Sequence, residues 1–269
     1  MASTFNARNA AVYERSMGRW SSRLAPALLE FAGLSEIGRA EALLDVGCGP
    51  GSLLQELVKQ AGPRRIAGID ASAIYAEAAR ERMRDPRVEI LTGDACALPY
   101  GDASFDLVLS QLVLQFVSDP ATALAEMRRV LRPAGIVVAA VWNSGGGMPH
   151  QRMFWDSAAL IDPRAGELRA RTFNRMTTRD GELAALFATA GLQRITTSTA
   201  TIAMTFSRFD DFWGPIADGE GTLGRYVLDL QSETASLVRQ AVEDAYLSGD
   251  ADGPRTFHCT AYLCRGLSP

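Results

Sequence analysis

"LLDVGCGPGSLLQELV", Leu43–Val58, decides how this chain is read. An apolar run carrying one acid, Asp45, meets Gly47, Gly49, Pro50 and Gly51, and apolar residues then return at a different spacing. The change of period predicts a strand over 42–47 that turns sharply into a helix over 52–61. Glycines at such a turn let the backbone come close to a ligand, and free N–H groups at the helix start hold anions. A glycine turn alone is a weak signal, so its neighbours must decide.

Outward from the turn, strands and helices alternate. "RIAGID" (65–70) reads as a second strand before a helix over 72–83, and "VEILTGD" (88–94) as a third. "FDLVLSQ" (105–111) is a fourth, followed by a helix over 120–131, and "GIVVAAVW" (135–142) is a fifth. Such runs describe strands buried on both faces of a largely parallel sheet. Upstream, 8–33 reads as a helix with an apolar stripe of Leu24, Leu28, Leu29 and Phe31. Downstream, "NSGGGMPH" is a flexible junction before a helix over 151–161. A helix over 179–190 and a strand near 192–205 resume the alternation. A helix over 231–246 precedes "TFHCTAYLCRG" (256–266), a β-rich run suited to pair beside the preceding strand. The pattern predicts one domain over 1–269, with a leader at 1–38, a core at 40–142 and lid insertions at 143–178 and 207–253.

Composition narrows the class. Of 269 residues 47% are hydrophobic and 22% charged, as in ordinary globular proteins, and the net charge of −4 argues against nucleic acid or anionic membrane as partner. Cys48, Cys96, Cys259 and Cys264 form no CxxC pair and share no metal-ligand spacing with His150 and His258, so no metal is expected. No signal-peptide core and no membrane-length apolar run occur. A cytoplasmic protein with reduced thiols and no membrane insertion is expected; the oligomeric state stays open.

The strand ends carry the chemistry. Asp70 closes the second strand about twenty residues beyond the loop, where a carboxylate grips ribose hydroxyls. Asp94 closes the third, where a nucleobase edge would lie, and Ser110 and Gln111 end the fourth. The spacing Gly47-x-Gly49-x-Gly51 after Asp45 departs from the GxGxxG of dinucleotide sites, and no GxxxxGK[ST] phosphate loop occurs.

"LLDVGCGPGSLL", "IAGIDAS", "ILTGDACALPYGDASFDLVLSQ" and "EMRRVLRPAGIVV" together resemble the class I S-adenosylmethionine-dependent methyltransferases. The nearest likeness is the bacterial small-molecule group, methyltransferase type 11, that includes ubiquinone and menaquinone biosynthetic enzymes. It covers about residues 40–142, and "YERSMGRWSSRLAPALLEF" resembles the leader helix of a bacterial subgroup. The resemblance implies an α/β, Rossmann-like, doubly wound fold: a mostly parallel seven-stranded sheet with an antiparallel last strand, plus helical lids. It implies S-adenosyl-L-methionine as cofactor and S-adenosyl-L-homocysteine as product. It places Asp45, Gly47, Gly49 and Gly51 around the methionine amino and carboxylate groups. Asp70 would take both ribose hydroxyls with Ala71 beside the adenine, and Asp94 and the Ala95 N–H would meet the adenine edge. Ser110 and Gln111 would flank the sulfonium, and Tyr13, Arg19 and Trp20 would close over the cofactor.

The reaction so implied is methyl transfer to an O, N, C or S atom of a small molecule. Positioning and water exclusion supply most of the catalysis, because the sulfonium already activates the methyl. Relatives often carry a histidine shortly after the fourth strand; this chain has Gln115 there. His150 is the remaining candidate base, whereas His258 reads as a sheet-face residue. Phe154, Trp155, Phe212 and Trp213 either cover a pocket for a flat or lipophilic acceptor or anchor the insertions. Arg164, Arg169, Arg171, Arg175 and Arg179 form either a solvated face or a contact for an anionic substrate. Two other readings stay open: a protein of this fold that holds the cofactor without methyl transfer, as a cyclase or regulator, and a nicotinamide-dependent oxidoreductase.

Overall fold

Leu43, Leu44 and Val46 are fully buried because β1 (Ala42–Val46) has a strand on either side and helices on both faces. The structure is a computed structural model and describes residues 9–60 and 62–269. Residues 1–8, which include the expected start of the leader helix, and Ala61, the expected end of the helix after the glycine turn, lie outside the described residues. β1 pairs in parallel with β2 (Arg65–Asp70) on one side, and β2 with β3 (Val88–Thr92). On its other side β1 pairs in parallel with β4 (Phe105–Gln111), and β4 with β5 (Leu131–Trp142). β6 (Gln193–Phe206) and β7 (Arg255–Leu267) complete the seven-stranded order β3-β2-β1-β4-β5-β7-β6. β7 runs antiparallel to both neighbours, β5 and β6, and is the antiparallel strand of an otherwise parallel sheet.

Side chains alternate between two cores. Leu43, Leu107 and Leu109 join the cluster under Trp20, Leu24 and Leu28, while Leu44, Val46 and Val108 join that of Ala123, Leu124 and Phe187. A period of two with both faces covered is what a parallel sheet demands. Between β1 and β4 the chain reverses the direction in which it lays down strands, and the carboxyl ends of β1, β2, β3 and β4 share one rim. That reversal opens a crevice.

The leader is helical without interruption from Ala10 to Ala32, with one change of pitch. A short α1 (Ala10–Tyr13) passes through a π-helical turn (Glu14–Gly18) into α2 (Arg19–Ala32), and α3 (Leu34–Arg39) leads into β1. α2 buries Trp20, Leu24, Leu28 and Leu29, whereas Phe31 is only half-buried. α4 (Ser52–Leu57), α5 (Ala73–Arg82) and α6 (Pro120–Arg129) connect the first strands. α7 (Pro149–Ala159), α8 (Pro163–Phe173) and α9 (Glu182–Thr189) fill the stretch from β5 to β6. α10 (Phe209–Ala217), α11 (Gly221–Leu228) and α12 (Ser232–Leu247) fill that from β6 to β7. Among the described residues no helix is long and apolar enough to cross a membrane.

Candidate functional site

The glycine turn is built by need. The N–H groups of Gly47 and Cys48 both donate to the Ile69 carbonyl, at 2.7 and 3.0 Å, which bends the chain across the end of β2. Gly47, Gly49 and Gly51 all adopt left-handed backbone, with φ of +76°, +53° and +95°. A Cβ on Gly47 would lie 2.3 Å from Val113 Cγ2, so packing excludes a side chain. At Gly49 the nearest such atom is the Tyr13 hydroxyl, 4.0 Å away, and the backbone faces open space.

That space is a cavity of about 420 Å³ along the sheet rim. Gly47, Gly49, Asp70, Ala71, Asp94 and Ala95 form one wall. Gln111, Tyr13, Trp20 and His150 line it elsewhere. Asp45, Gly51, Ser110 and Arg19 do not reach its lining. Gly51 packs toward α5, its Cβ position 3.7 Å from that of Ala79. Ser110 is fully buried with an unpartnered Oγ. Arg19 donates to Asp211 Oδ1 at 2.9 Å and lies over the rings of Trp20 (4.3 Å) and Phe206 (5.1 Å), fastening α2 to α10.

Two carboxyl groups near the turn differ in their hydrogen bonding. Asp45 is 1% exposed, and neither of its oxygens has a hydrogen-bond partner. Burial, with the charge of Asp70 second, pushes its pKa up to about 8, so it is largely protonated at neutral pH. Asp70 accepts from the Gly49 N–H at 2.9 Å through Oδ2 and from the Ser72 N–H at 2.8 Å through Oδ1. Burial raises its pKa and these two bonds oppose the rise. Each carboxylate oxygen accepts more than one hydrogen bond, so capacity remains toward the cavity. Asp94 is turned by the Cys96 N–H, 2.9 Å from Oδ1. Gln111 donates to the Ser21 carbonyl at 2.9 Å and keeps Oε1 unpartnered.

Sequence reasoning missed the pair that closes one side. Tyr75 donates to Glu220 Oε1 at 2.8 Å, and its ring lies 4.9 Å from that of Tyr13. Tyr75 was legible, one turn of helix after Asp70; Glu220 comes from the segment between α10 and α11, and only the fold brings it here. Burial pushes the Tyr13 phenol up to about 12, so it stays a neutral hydroxyl. Leu112 holds the left-handed conformation at φ +65° directly after β4, its N–H fixed on the Ala140 carbonyl at 2.8 Å. A bulky side chain rarely accepts that backbone, and such strain gathers at functional rims.

The other half of the cavity is aromatic and apolar, with Phe116, Trp142, Phe206, Phe212 and Leu223. Of the four aromatics singled out in the insertions, Phe212 lines it, while Phe154, Trp155 and Trp213 anchor the helices in the core. Gln115 accepts from the Trp142 N–H at 2.7 Å. His150 is 6% exposed among Phe206, Phe212 and Phe257, with Nδ1 3.4 Å from Cys259 Sγ. Burial lowers its pKa to about 4, so the ring is neutral near pH 7. No cluster of three or more His, Cys, Asp or Glu among the described residues is arranged to hold a metal ion.

The donor set selects a ligand. Asp70 and Asp94 offer acceptors to hydroxyl and amino donors, and among the described residues no lysine or arginine stands beside the glycine turn in the lining. An adenosyl group fits such a set of acceptors.

Comparison with known proteins agrees. A family model described as a methyltransferase domain matches residues 44–139. A 37.1 kDa protein encoded in transposon Tn4556 of Streptomyces fradiae is 44% identical over 134 residues, which span 49% of this chain and 36% of that protein. The demethylmenaquinone methyltransferase of Bacillus subtilis is 32% identical over 165 residues, 56% of this chain and 71% of the relative. Among solved structures, a phosphoethanolamine N-methyltransferase of Haemonchus contortus, in complex with phosphomonomethylethanolamine and S-adenosylhomocysteine, shares the fold. Its TM-score is 0.59 at 17% identity, over 97% of this chain and 57% of that one.

Proposed function

Because the chain belongs to the class I S-adenosylmethionine-dependent methyltransferases, with S-adenosylmethionine as cofactor, we propose that it methylates an O, N, C or S atom of a small aromatic or lipophilic molecule bound in the same cavity. One observation carries the reading: a wall of acceptors and left-handed glycine backbone faces an aromatic half across a single cavity. The ring-bearing acceptor implied by the Bacillus relative's name suits that half. When bound, the cofactor supplies a methyl group already activated by a positive sulfur.

The chain's own residues then bind and position. Asp70 takes the ribose hydroxyls with the capacity left by Gly49 and Ser72, and Asp94 with the Ala95 N–H takes the adenine edge. Gln111 lines the cavity and is held in place by its bond to the Ser21 carbonyl. Tyr13 and Trp20 cover the cofactor from the leader and exclude water. Arg19 acts through Trp20, and Asp45, Gly51 and Ser110 shape the turn from behind. His150 is a neutral hydrogen-bond acceptor for the nucleophile's proton; its lowered basicity makes it a positioning group more than a proton store.

Calorimetry with S-adenosylhomocysteine tests the site. Asp70→Ala should weaken binding by roughly 1.5–3 kcal/mol, the worth of charge-assisted hydrogen bonds. Wild-type protein that ignores S-adenosylhomocysteine and binds a reduced nicotinamide would sink the reading. Mass spectrometry of acceptor mixtures should show a gain of one methyl; cofactor binding without any gain would support a non-transferring member of the fold.

A further inference from the structure

The arginine-rich stretch after α7 does not form one face. Arg164 pairs with Asp162 at 3.0 Å, Arg169 with Asp156, and Arg179 with Glu182 at 3.9 Å, while Arg171 is exposed. Arg175 alone of the five lines the cavity, and among the described residues no carboxylate lies within ion-pair distance of it. Its guanidinium donates to Thr222 Oγ1 at 3.0 Å and sits 4.9 Å over the Phe116 ring. Its backbone is held as well: the Thr178 hydroxyl donates to the Arg175 carbonyl at 2.8 Å, beside a buried Thr177 at φ +73°. Burial alone lowers the Arg175 pKa, with no counter-charge acting on it. The side chain is thus a fixed, largely desolvated cation whose other N–H donors are uncommitted.

We infer that the methyl acceptor carries a carboxylate, taken by Arg175 at the end of the cavity formed with Thr222 and Phe116. A desolvated cation is costly without an anion, and the guanidinium fork matches a carboxylate in two-bond geometry. The group belongs to the acceptor because Phe116, Arg175 and Thr222 come from beyond β4, beyond α8 and from α11, none from the glycine turn that serves the cofactor tail. A single negative charge fits better than a phosphate dianion. Among the described residues Arg175 is the one arginine or lysine in the lining. The inference rests on the proposed function, and its test separates the two.

Protein saturated with S-adenosylhomocysteine is titrated with matched pairs: 4-hydroxybenzoate against 4-hydroxybenzamide, and octanoate against octanamide. At least one acid should bind about tenfold or more tighter than its amide, as expected of a hydrogen bond to a charged group. Arg175→Gln should erase that preference while changing S-adenosylhomocysteine affinity less than about threefold, and Arg175→Lys should keep part of it. Equal or absent binding of acids and amides by the wild type, which needs no variant, overturns the inference. So does a preference for phenyl phosphate over benzoate, or an Arg175→Gln protein that folds but loses the nucleoside. Wild-type protein that never binds S-adenosylhomocysteine would instead overturn the function proposed above.

Discussion

Gly47 and Gly49 share one turn and one backbone conformation, yet a methyl group added to each meets different surroundings. At Gly47 it would enter Val113, 2.3 Å from Cγ2, and left-handed strain adds to the overlap. Gly47→Ala should cost about 2–4 kcal/mol of stability, read as a lower urea midpoint. At Gly49 the methyl group would project toward the cavity with 4.0 Å to spare. Gly49→Ala should cost only about 1–2 kcal/mol of stability, and cofactor affinity should fall more than stability does. Asp45 adds a pH dependence of unusual sign. Its folded pKa of about 8 exceeds the ordinary 3.8, so its contribution to stability is complete below pH 4 and is lost as pH rises toward 8. The loss has an upper slope of about 1.4 kcal/mol per pH unit. Asp45→Asn, neutral throughout, should match the wild type in Tm near pH 4 and exceed it at pH 8.5; a constant difference across that range would refute an uncharged Asp45.

At the scale of elements, polar links join the leader, α5 and α10–α11, with Arg82 of α5 donating to Glu14 of the leader at 2.9 Å. Arg19 and Asp211 join α2 to α10, Arg15 and Asp218 add a more exposed pair, and Tyr75 with Glu220 joins α5 to the start of α11. Tyr75→Phe removes one donor from a buried carboxylate, so it should cost about 1–3 kcal/mol. Hydrogen exchange should then speed first in α10 and α11, with β1 and β4 unchanged. The strands of the first half were readable because burial on both faces imposes continuous apolar runs, and Asp70, Asp94 and Gln111 were readable because parallel strands put their ends on one rim. α8 was readable but overlooked: Asp162 caps it through the Arg164 N–H and Pro163 opens it, a start signal hidden among arginines. The π-helical turn at Glu14–Gly18, the place of Glu220 and the inward turn of Arg175 had no local signal. Each depends on which surface a distant element presents, and spacing along the chain does not encode that.

Across the whole molecule, the last strand stitches the sheet together, since β7 lies between β5 and β6 and pairs with both. Cys259 and Cys264 lie on it, both fully buried, and burial pushes each thiol up to about 12. At pH 8 only roughly one such thiol in ten thousand would be thiolate, the reactive form, even where reagent could reach it. Cys48 is buried too, whereas Cys96 is half-exposed. A disulfide reagent should therefore label Cys96 first, and the other three at the rate at which the native fold opens. Because the leader, the strand rim and α10–α11 all line one cavity, a ligand there binds only when these parts are assembled. S-adenosylhomocysteine at a hundred times its Kd should then stabilise the closed state by about 2.7 kcal/mol and slow labelling of Cys259 and Cys264 about a hundredfold, leaving Cys96 unchanged. Equal slowing of both β7 thiols means that the sheet and the cavity open as one unit. Unchanged rates with the nucleoside bound would mean that β6 and β7 part from the sheet while the site stays formed.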